Sequence, residues 1–239
     1  MNRRTFLRTL PAVTIPILHS IQPARSAQPE QPNRLLIVDG NSLSCLANTT
    51  LPNEWARSIS VNCPVVDVAV AGDHITPILR RAPYYVDPLI KQFRDTLIIL
   101  WEGTNSLWKM SPEDAATKHI EYVRLRRKLG ARVIVGTVIN RNQASWPEHE
   151  FLRWRFNQLI RVNRFEFDGL MDIGASAELG AGDSAKGPLF RDGVHLTADG
   201  YAIVARYAQQ AINSIWGAPT VARSQSNDLF IPLVEQGSE

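Results

Sequence analysis

Two serines in this chain stand in settings suited to nucleophilic chemistry. Gly182-Asp183-Ser184 lies within LGAGDSAKGPLF, and Gly40-Asn41-Ser42 lies within LLIVDGNSLSCL. Far downstream, FRDGVHLTADGY sets Asp192 and His195 three positions apart. A serine hydroxyl attacks an acyl carbon well only when a base takes its proton, and imidazole does this near neutral pH. The imidazole needs a neighbour that fixes its tautomer and stabilises its charge, which Asp192 offers from the same turn. Two further segments offer donors for the negative charge such an attack develops. Gly72 in AVAGDH lets a backbone N–H approach a ligand closely, and Asn105 in ILWEGTNSLW carries an amide N–H₂. Singly, each feature is ordinary, since serines cap helices and Asp-Gly makes turns. Their order and positions give them weight.

Those positions depend on the elements around them. Five short, apolar, β-branched runs recur, at 34–38, 64–70, 96–101, 131–138 and 167–173. Each is apolar throughout, as for strands covered on both faces. Ser111-Pro112-Glu113-Asp114 starts a helix that runs to Lys128, with a capping serine, an early proline and acids at the positive end. Further helices are expected over 147–164 and 198–215. This alternation predicts an α/β fold, a three-layer α/β/α sandwich around a mostly parallel five-stranded sheet of flavodoxin-like type. The segments 73–95 and 141–147 read as loops that shape a pocket.

In an open parallel sheet, ligands bind beyond the carboxyl ends of the strands. Ser42 meets that condition, directly after the first strand and at an expected helix start near Leu43, where free N–H groups face outward. Ser184 has no strand before it and no helix after it, so the literal Gly-Asp-Ser reads as a loop. Gly72 and Asn105 follow the second and third strands.

With the residues so placed, the set resembles the four blocks of the SGNH (GDSL-type) hydrolases. Gly40-Asn41-Ser42-Leu43-Ser44 matches the first block, with Asn41 in the usual aspartate place. Ala71-Gly72 matches the second, and Gly103-Thr104-Asn105 the third, with Ser106 for a frequent aspartate. Asp192-Gly193-Val194-His195-Leu196-Thr197 matches the last. The resemblance implies Ser42 as nucleophile, His195 as general base and Asp192 as its orienter. It also implies an oxyanion hole from the Ser42 and Gly72 N–H groups and the Asn105 amide. The expected activity is hydrolysis of an acyl ester, of a small molecule or an acetylated sugar. An acyltransferase acting on envelope sugars, and a catalytically silent carbohydrate-binding protein, are the competing readings.

Composition narrows the classes further. Of 239 residues, 44% are hydrophobic and 21% charged, ordinary for one globular domain. The pI near 9.0 hints at nucleic acid, but residues 1–27 carry four arginines and no acid. Without them 22 basic residues face 23 acidic ones, so nucleic-acid binding loses its main support. Residues 1–27 have a basic start, an apolar middle and a small-residue end, the layout of an export signal. Asn2-Arg3-Arg4-Thr5-Phe6-Leu7-Arg8 resembles the twin-arginine motif, so a periplasmic or secreted location is expected. Pro11, Pro16 and His19 break the apolar middle, so no stable membrane span is expected. Residues 28–33 read as a spacer, 34–216 as the hydrolase domain and 217–239 as a tail in which Leu229-Phe230-Ile231 docks.

No histidine pair has metal-ligand spacing and no nucleotide-binding motif occurs, so neither metal nor cofactor is expected. His119 and His149 lie on helical stretches among charges and read as solvated. His74 either lines the pocket or serves the structure. Trp101 reads as core, while Trp108 reads equally as core or as a wall of the site. Cys45 and Cys63 fall too far apart for a disulfide, and both are expected to be free.

Overall fold

A computed structural model of the chain describes residues 33–45, 54–56, 58–142, 148–218 and 230–232. The chain divides into residues Met1–Glu30, none of them described, and a unit from Gln31 to Glu239. The expected export signal, most of the spacer and most of the tail therefore lie outside the described residues, as do 143–147 of the expected 141–147 loop.

Six strands form one sheet among the described residues: β1 (Arg34–Gly40), β2 (Val65–Asp67), β3 (Asp95–Trp101), β4 (Arg132–Gly136), β5 (Gly169–Met171) and β6 (Phe230–Pro232). Their order is β5-β4-β3-β1-β2-β6, and every pairing is parallel. The first five correspond to the five predicted runs. The sixth extends the sheet beyond β2 from the tail, which has no periodicity to announce a strand. The chain leaves β1 to build β2 on one side and returns to build β3 on the other. The crevice at the carboxyl end of β1 and β3 is thus the switch point of the sheet.

The faces of β1 explain the layers. Leu35 and Ile37 enter one core, while Leu36 and Val38 enter the other. The first core takes residues of α1 (Ile75–Tyr85), α2 (Asp87–Gln92), α3 (Pro112–Lys128) and α4 (His149–Val162). The second takes α5 (Ala198–Trp216) and the one-turn helix at Glu54–Ala56. Trp101 is buried in the second core, edge-on to Trp55 at 6.0 Å.

The helix ends follow their side chains. Ser111 Oγ accepts the Asp114 N–H at the start of α3, with Pro112 next and Arg126, Arg127 and Lys128 in the last turn. Thr197 caps α5 through the Gly200 N–H. The stretch 73–95, expected as loop, is instead mostly helical. His74 Nδ1 accepts the Thr76 N–H at the start of α1, which is the structural alternative for that histidine. The segment breaks at Val86 into two short helices, with Pro88 in the first turn of the second and Pro83 inside the first. Neither Cys45, which is buried, nor Cys63, which is half-buried, takes part in a disulfide.

One charged network holds the apolar sheet at its functional end. The Asp39 carboxylate is wholly buried at the end of β1. It accepts from the Arg81 guanidinium at 2.6 Å, the Tyr122 hydroxyl at 2.7 Å and the Gly40 N–H at 2.9 Å. Arg81 also donates to Asp73 at 2.8 Å and to the Val68 carbonyl at 2.6 Å. Burial works against the arginine's charge, but the fields of Asp39 and Asp73 outweigh it and hold its pKa above the ordinary value. Burial, reinforced by Asp39, pushes the Tyr122 hydroxyl well above the usual tyrosine range. Removing one member leaves a buried charge or acceptor unsatisfied. Arg81→Met should lower stability by about 3–5 kcal/mol and Tyr122→Phe by about 1–3 kcal/mol, both read from urea unfolding at neutral pH.

Candidate active site

Three loops meet at the switch point because backbone and side-chain bonds tie each to the next. Beyond β2 the chain keeps step with β1, through Val68 N–H to Val38 O at 2.9 Å and Val70 N–H to Gly40 O at 3.2 Å. At Gly40 a Cβ would collide with the Trp101 carbonyl oxygen and press on Ser44, so only glycine lets the first loop lie this close to β3. Ser44 Oγ donates to that carbonyl at 3.1 Å. The chain then turns at Asn41–Ser44, where the Asn41 side-chain oxygen accepts the Leu43 N–H at 2.9 Å. An amide oxygen thus fills the acceptor role a carboxylate would play in this turn. Gly72 is exposed with φ +83°, and a Cβ there would point into open space. Asn105 follows β3, and its Nδ2 donates to the Asp73 carbonyl at 2.9 Å, fastening the third loop to the second.

The fourth piece arrives from the other end of the chain. Phe190 and Leu196 form an antiparallel bridge, and Arg191 N–H donates to His195 O at 2.8 Å, so residues 190–196 close into a tight loop before α5. Within it Asp192 Oδ1 accepts the His195 and Val194 N–H groups at 2.7 and 3.0 Å. His195 Nδ1 lies 2.8 Å from Asp192 Oδ2, and His195 Nε2 lies 2.9 Å from Ser42 Oγ, a contact spanning 153 residues of sequence. Burial alone would raise the Asp192 pKa. The amide and ring bonds from His195 and the amide of Val194 outweigh it and bring the pKa down to about 2. An ionised Asp192 assigns the ring proton to Nδ1, leaving the Nε2 lone pair to accept the Ser42 hydroxyl. Ser184 sits in a one-turn helix at Ser184–Lys186, and it is Ser42 that His195 contacts.

Several residues that shape this site were not singled out from sequence. Asp39 had no assigned role and is the anchor described above. Glu102, buried directly after β3, clamps the asparagine turn. Its Oε1 accepts the Asn105 and Ser106 N–H groups at 3.1 and 2.9 Å, and its Oε2 accepts Ser106 Oγ–H at 2.5 Å. Ser106 Oγ in turn accepts the Ile75 N–H at 3.0 Å. The signal for both acids was present: a carboxylate adjoining a continuously apolar run is a buried polar group that demands partners.

The reading of His119 and His149 as solvated is overturned, because both are fully buried. His119 lies on the inner face of α3, edge-on to Phe156, with its ring nitrogens at 2.8 Å from Ala115 O and 3.1 Å from Glu102 O. It braces the backbone of the residue that clamps Asn105. His149 opens α4, and burial, with the nearby charges of Arg141 and Arg153, pushes its pKa down to about 3. Trp108, left open between core and site wall, is 45% exposed and stacks under the Arg141 guanidinium at 4.9 Å.

The Asp192 bonds have a pH signature. A carboxylate whose pKa is lower in the folded than in the unfolded chain stabilises the fold above its unfolded value of 3.8, and that stabilisation disappears as pH falls towards about 2. Asp192→Asn should therefore show a urea midpoint below wild type at neutral pH. The gap should close between about pH 4 and pH 2. A gap that stays constant through this window would contradict the bonding described here.

The sequence profile of the GDSL-like lipase/acylhydrolase family matches residues 37–203. No curated protein matches the sequence. Among solved structures, TesA superposes with a TM-score of 0.61 at 17% identity, covering 76% of this chain and 99% of that one. A member of the lipolytic G-D-S-L family from Veillonella parvula gives 0.60 at 15% identity, over 75% and 98% of the two chains. A variant of an acetyl-xylooligosaccharide esterase from Geobacillus gives 0.56 at 14%, over 77% and 96%. These likenesses show a shared fold. The profile spans well over half of the chain, including the second half of the first strand, all three loop ends and the Asp192–His195 turn. The chain belongs to the GDSL-like lipase/acylhydrolase (SGNH) family and is an ester-hydrolysing enzyme.

Proposed function

We propose that the chain is an exported serine esterase in which Ser42, His195 and Asp192 form the catalytic triad. The observation that carries this reading is the continuous bond path from Asp192 Oδ2 through the imidazole to Ser42 Oγ. Ser42 attacks the acyl carbon as His195 Nε2 takes its proton, and Asp192 stabilises the imidazolium that forms. The oxyanion is held by the Ser42 and Gly72 N–H groups and the Asn105 amide. That amide spends one hydrogen on the Asp73 carbonyl, and its second serves the oxyanion. The imidazolium then protonates the departing alcohol, and a water activated by the same base releases the acid.

Hydrolysis, rather than transfer to a sugar, is favoured by the openness of the triad: the His195 side chain is 27% exposed and that of Asp192 46%. Water reaches such a site freely. Small esters, including acetylated sugars, are the proposed substrates, in keeping with the acetyl-xylooligosaccharide and acetyl xylan esterases among the structural neighbours. No helix among the described residues is long and apolar enough to cross a membrane, and the proposed location is the periplasm or outside the cell.

Ser42→Ala should abolish labelling by a fluorophosphonate, while Ser184→Ala leaves it intact; the reverse pattern would move the nucleophile. Asn105→Ala should lower kcat on an activated acetate ester about 10²–10³-fold with a smaller change in KM. For export, replacing Arg3 and Arg4 together by lysine should leave the full-length chain in the cytoplasm on fractionation. Unimpaired export of that variant would contradict twin-arginine targeting.

A further inference from the structure

The second loop is a turn whose central peptide has a defined direction. Asp73 N–H donates to Val70 O at 3.1 Å and closes the turn Val70–Asp73. Gly72 has φ +83°, whereas Ala71 does not have positive φ. Positive φ at the third position alone is the mark of a type II turn. A type I turn with the same ends has its central peptide turned over. It would present the Ala71 carbonyl where the type II turn presents the Gly72 N–H.

The bonds that hold this turn converge on Asp73. Its Oδ2 accepts Arg81 Nε–H at 2.8 Å, and its carbonyl accepts Asn105 Nδ2–H at 2.9 Å. Arg81 is itself fixed to the ends of β1 and β2. Its other nitrogens donate to Asp39 Oδ1 and Val68 O, both at 2.6 Å, and to Gly40 O at 3.4 Å. Ser42 stands two residues beyond Gly40. The Asp73 side chain thus fixes the second loop against the strand end that leads to Ser42, and the Asp73 carbonyl passes that position on to Asn105. The Asn105 amide is planar, so binding one of its hydrogens to that carbonyl sets the direction of the other.

We propose that Asp73 is a positioning residue that holds the Gly72 N–H and the Asn105 amide in place as oxyanion donors while touching no substrate itself. The proposal rests on the oxyanion hole inferred above and adds the residue that sets its geometry. On p-nitrophenyl acetate, Asp73→Ala should lower kcat about tenfold or more with KM changed about twofold at most, because the donors are displaced. Asp73→Asn keeps an acceptor for Arg81 Nε and should hold kcat within about threefold of wild type. In an Asn105→Ala background, Asp73→Ala should cost much less than it does alone, because a donor it orients is already gone. The Asp73 side chain is 17% exposed, so water can replace it on Arg81 and the variants should fold.

Nuclear magnetic resonance reads the same bond without catalysis. In Asp73→Ala the bonded Asn105 side-chain proton should exchange with solvent at least about tenfold faster than in wild type. Full kcat in Asp73→Ala would overturn the proposal. So would a loss that multiplies undiminished onto Asn105→Ala, as expected of an acid that serves only the positive end of α1. A wild-type protein that takes no fluorophosphonate and hydrolyses no activated ester would instead refute the esterase reading. Proton exchange then decides the positioning by itself: faster exchange in Asp73→Ala sustains it, and unchanged exchange overturns it.

Discussion

The contact between His195 Nε2 and Ser42 Oγ joins a turn that follows the first strand to a loop that precedes the last long helix. A hydrogen bond tolerates only a few tenths of an ångström of drift before it weakens steeply. Each loop is braced internally, but bonds within a loop do not set the distance between the two. The sheet supplies the rigidity: β1 is central, flanked by β3 and β2 in register, and all three deliver their carboxyl ends to one edge. The Asp192 turn is delivered to that edge by α5, whose inner face packs in the core beneath β1 and β3.

Buried charge does the fine positioning. Asp39 and Glu102 each lie at the end of a central strand and each fixes backbone there: Asp39 accepts the N–H of Gly40, the last residue of β1, and Glu102 those of Asn105 and Ser106 in the loop beyond β3. A buried carboxylate carries a large desolvation cost unless it is fully bonded. Arg81, Tyr122 and Ser106 meet that need for the two acids and thereby connect α1, α3 and the turn after β3 to the site. An apolar core of equal volume would be no less stable, but it would not specify where the loop N–H groups point. The acids are thus explained by direction rather than by stability.

The strands were legible because both faces of the sheet are covered, which makes runs such as LLIV and LIIL apolar at every position. The capping serine and proline of α3 likewise declare themselves. Residues 73–95 misled because proline at 77, 83 and 88 reads as loop punctuation, although Pro77 and Pro88 stand in first turns, where proline suits a helix, and Pro83 is accommodated inside α1 near its end. His119 misled because Lys118 and Glu121 flank it in sequence. Helical spacing instead aligns it with Ala115, Tyr122 and Val123 on the buried face. Strand β6 is three residues long and gains its identity from pairing with β2 alone. In the site, the residue types and the strand-end positions of Ser42, Gly72 and Asn105 were readable. The partners of Asp39 were not, because Arg81 and Tyr122 lie 42 and 83 positions away with no local pattern to connect them, and neither was the stack of Arg141 over Trp108.

The central claim is that one tetrahedral centre on Ser42 fits between the imidazole and the three proposed donors. A crystal structure of the protein after reaction with a small phosphonylating ester tests it directly. The account predicts phosphorus bonded to Ser42 Oγ, with one phosphoryl oxygen about 3 Å from the Ser42 N–H, the Gly72 N–H and Asn105 Nδ2 together. An adduct on another residue, or a phosphoryl oxygen turned away from Gly72 and Asn105 into solvent, would contradict it.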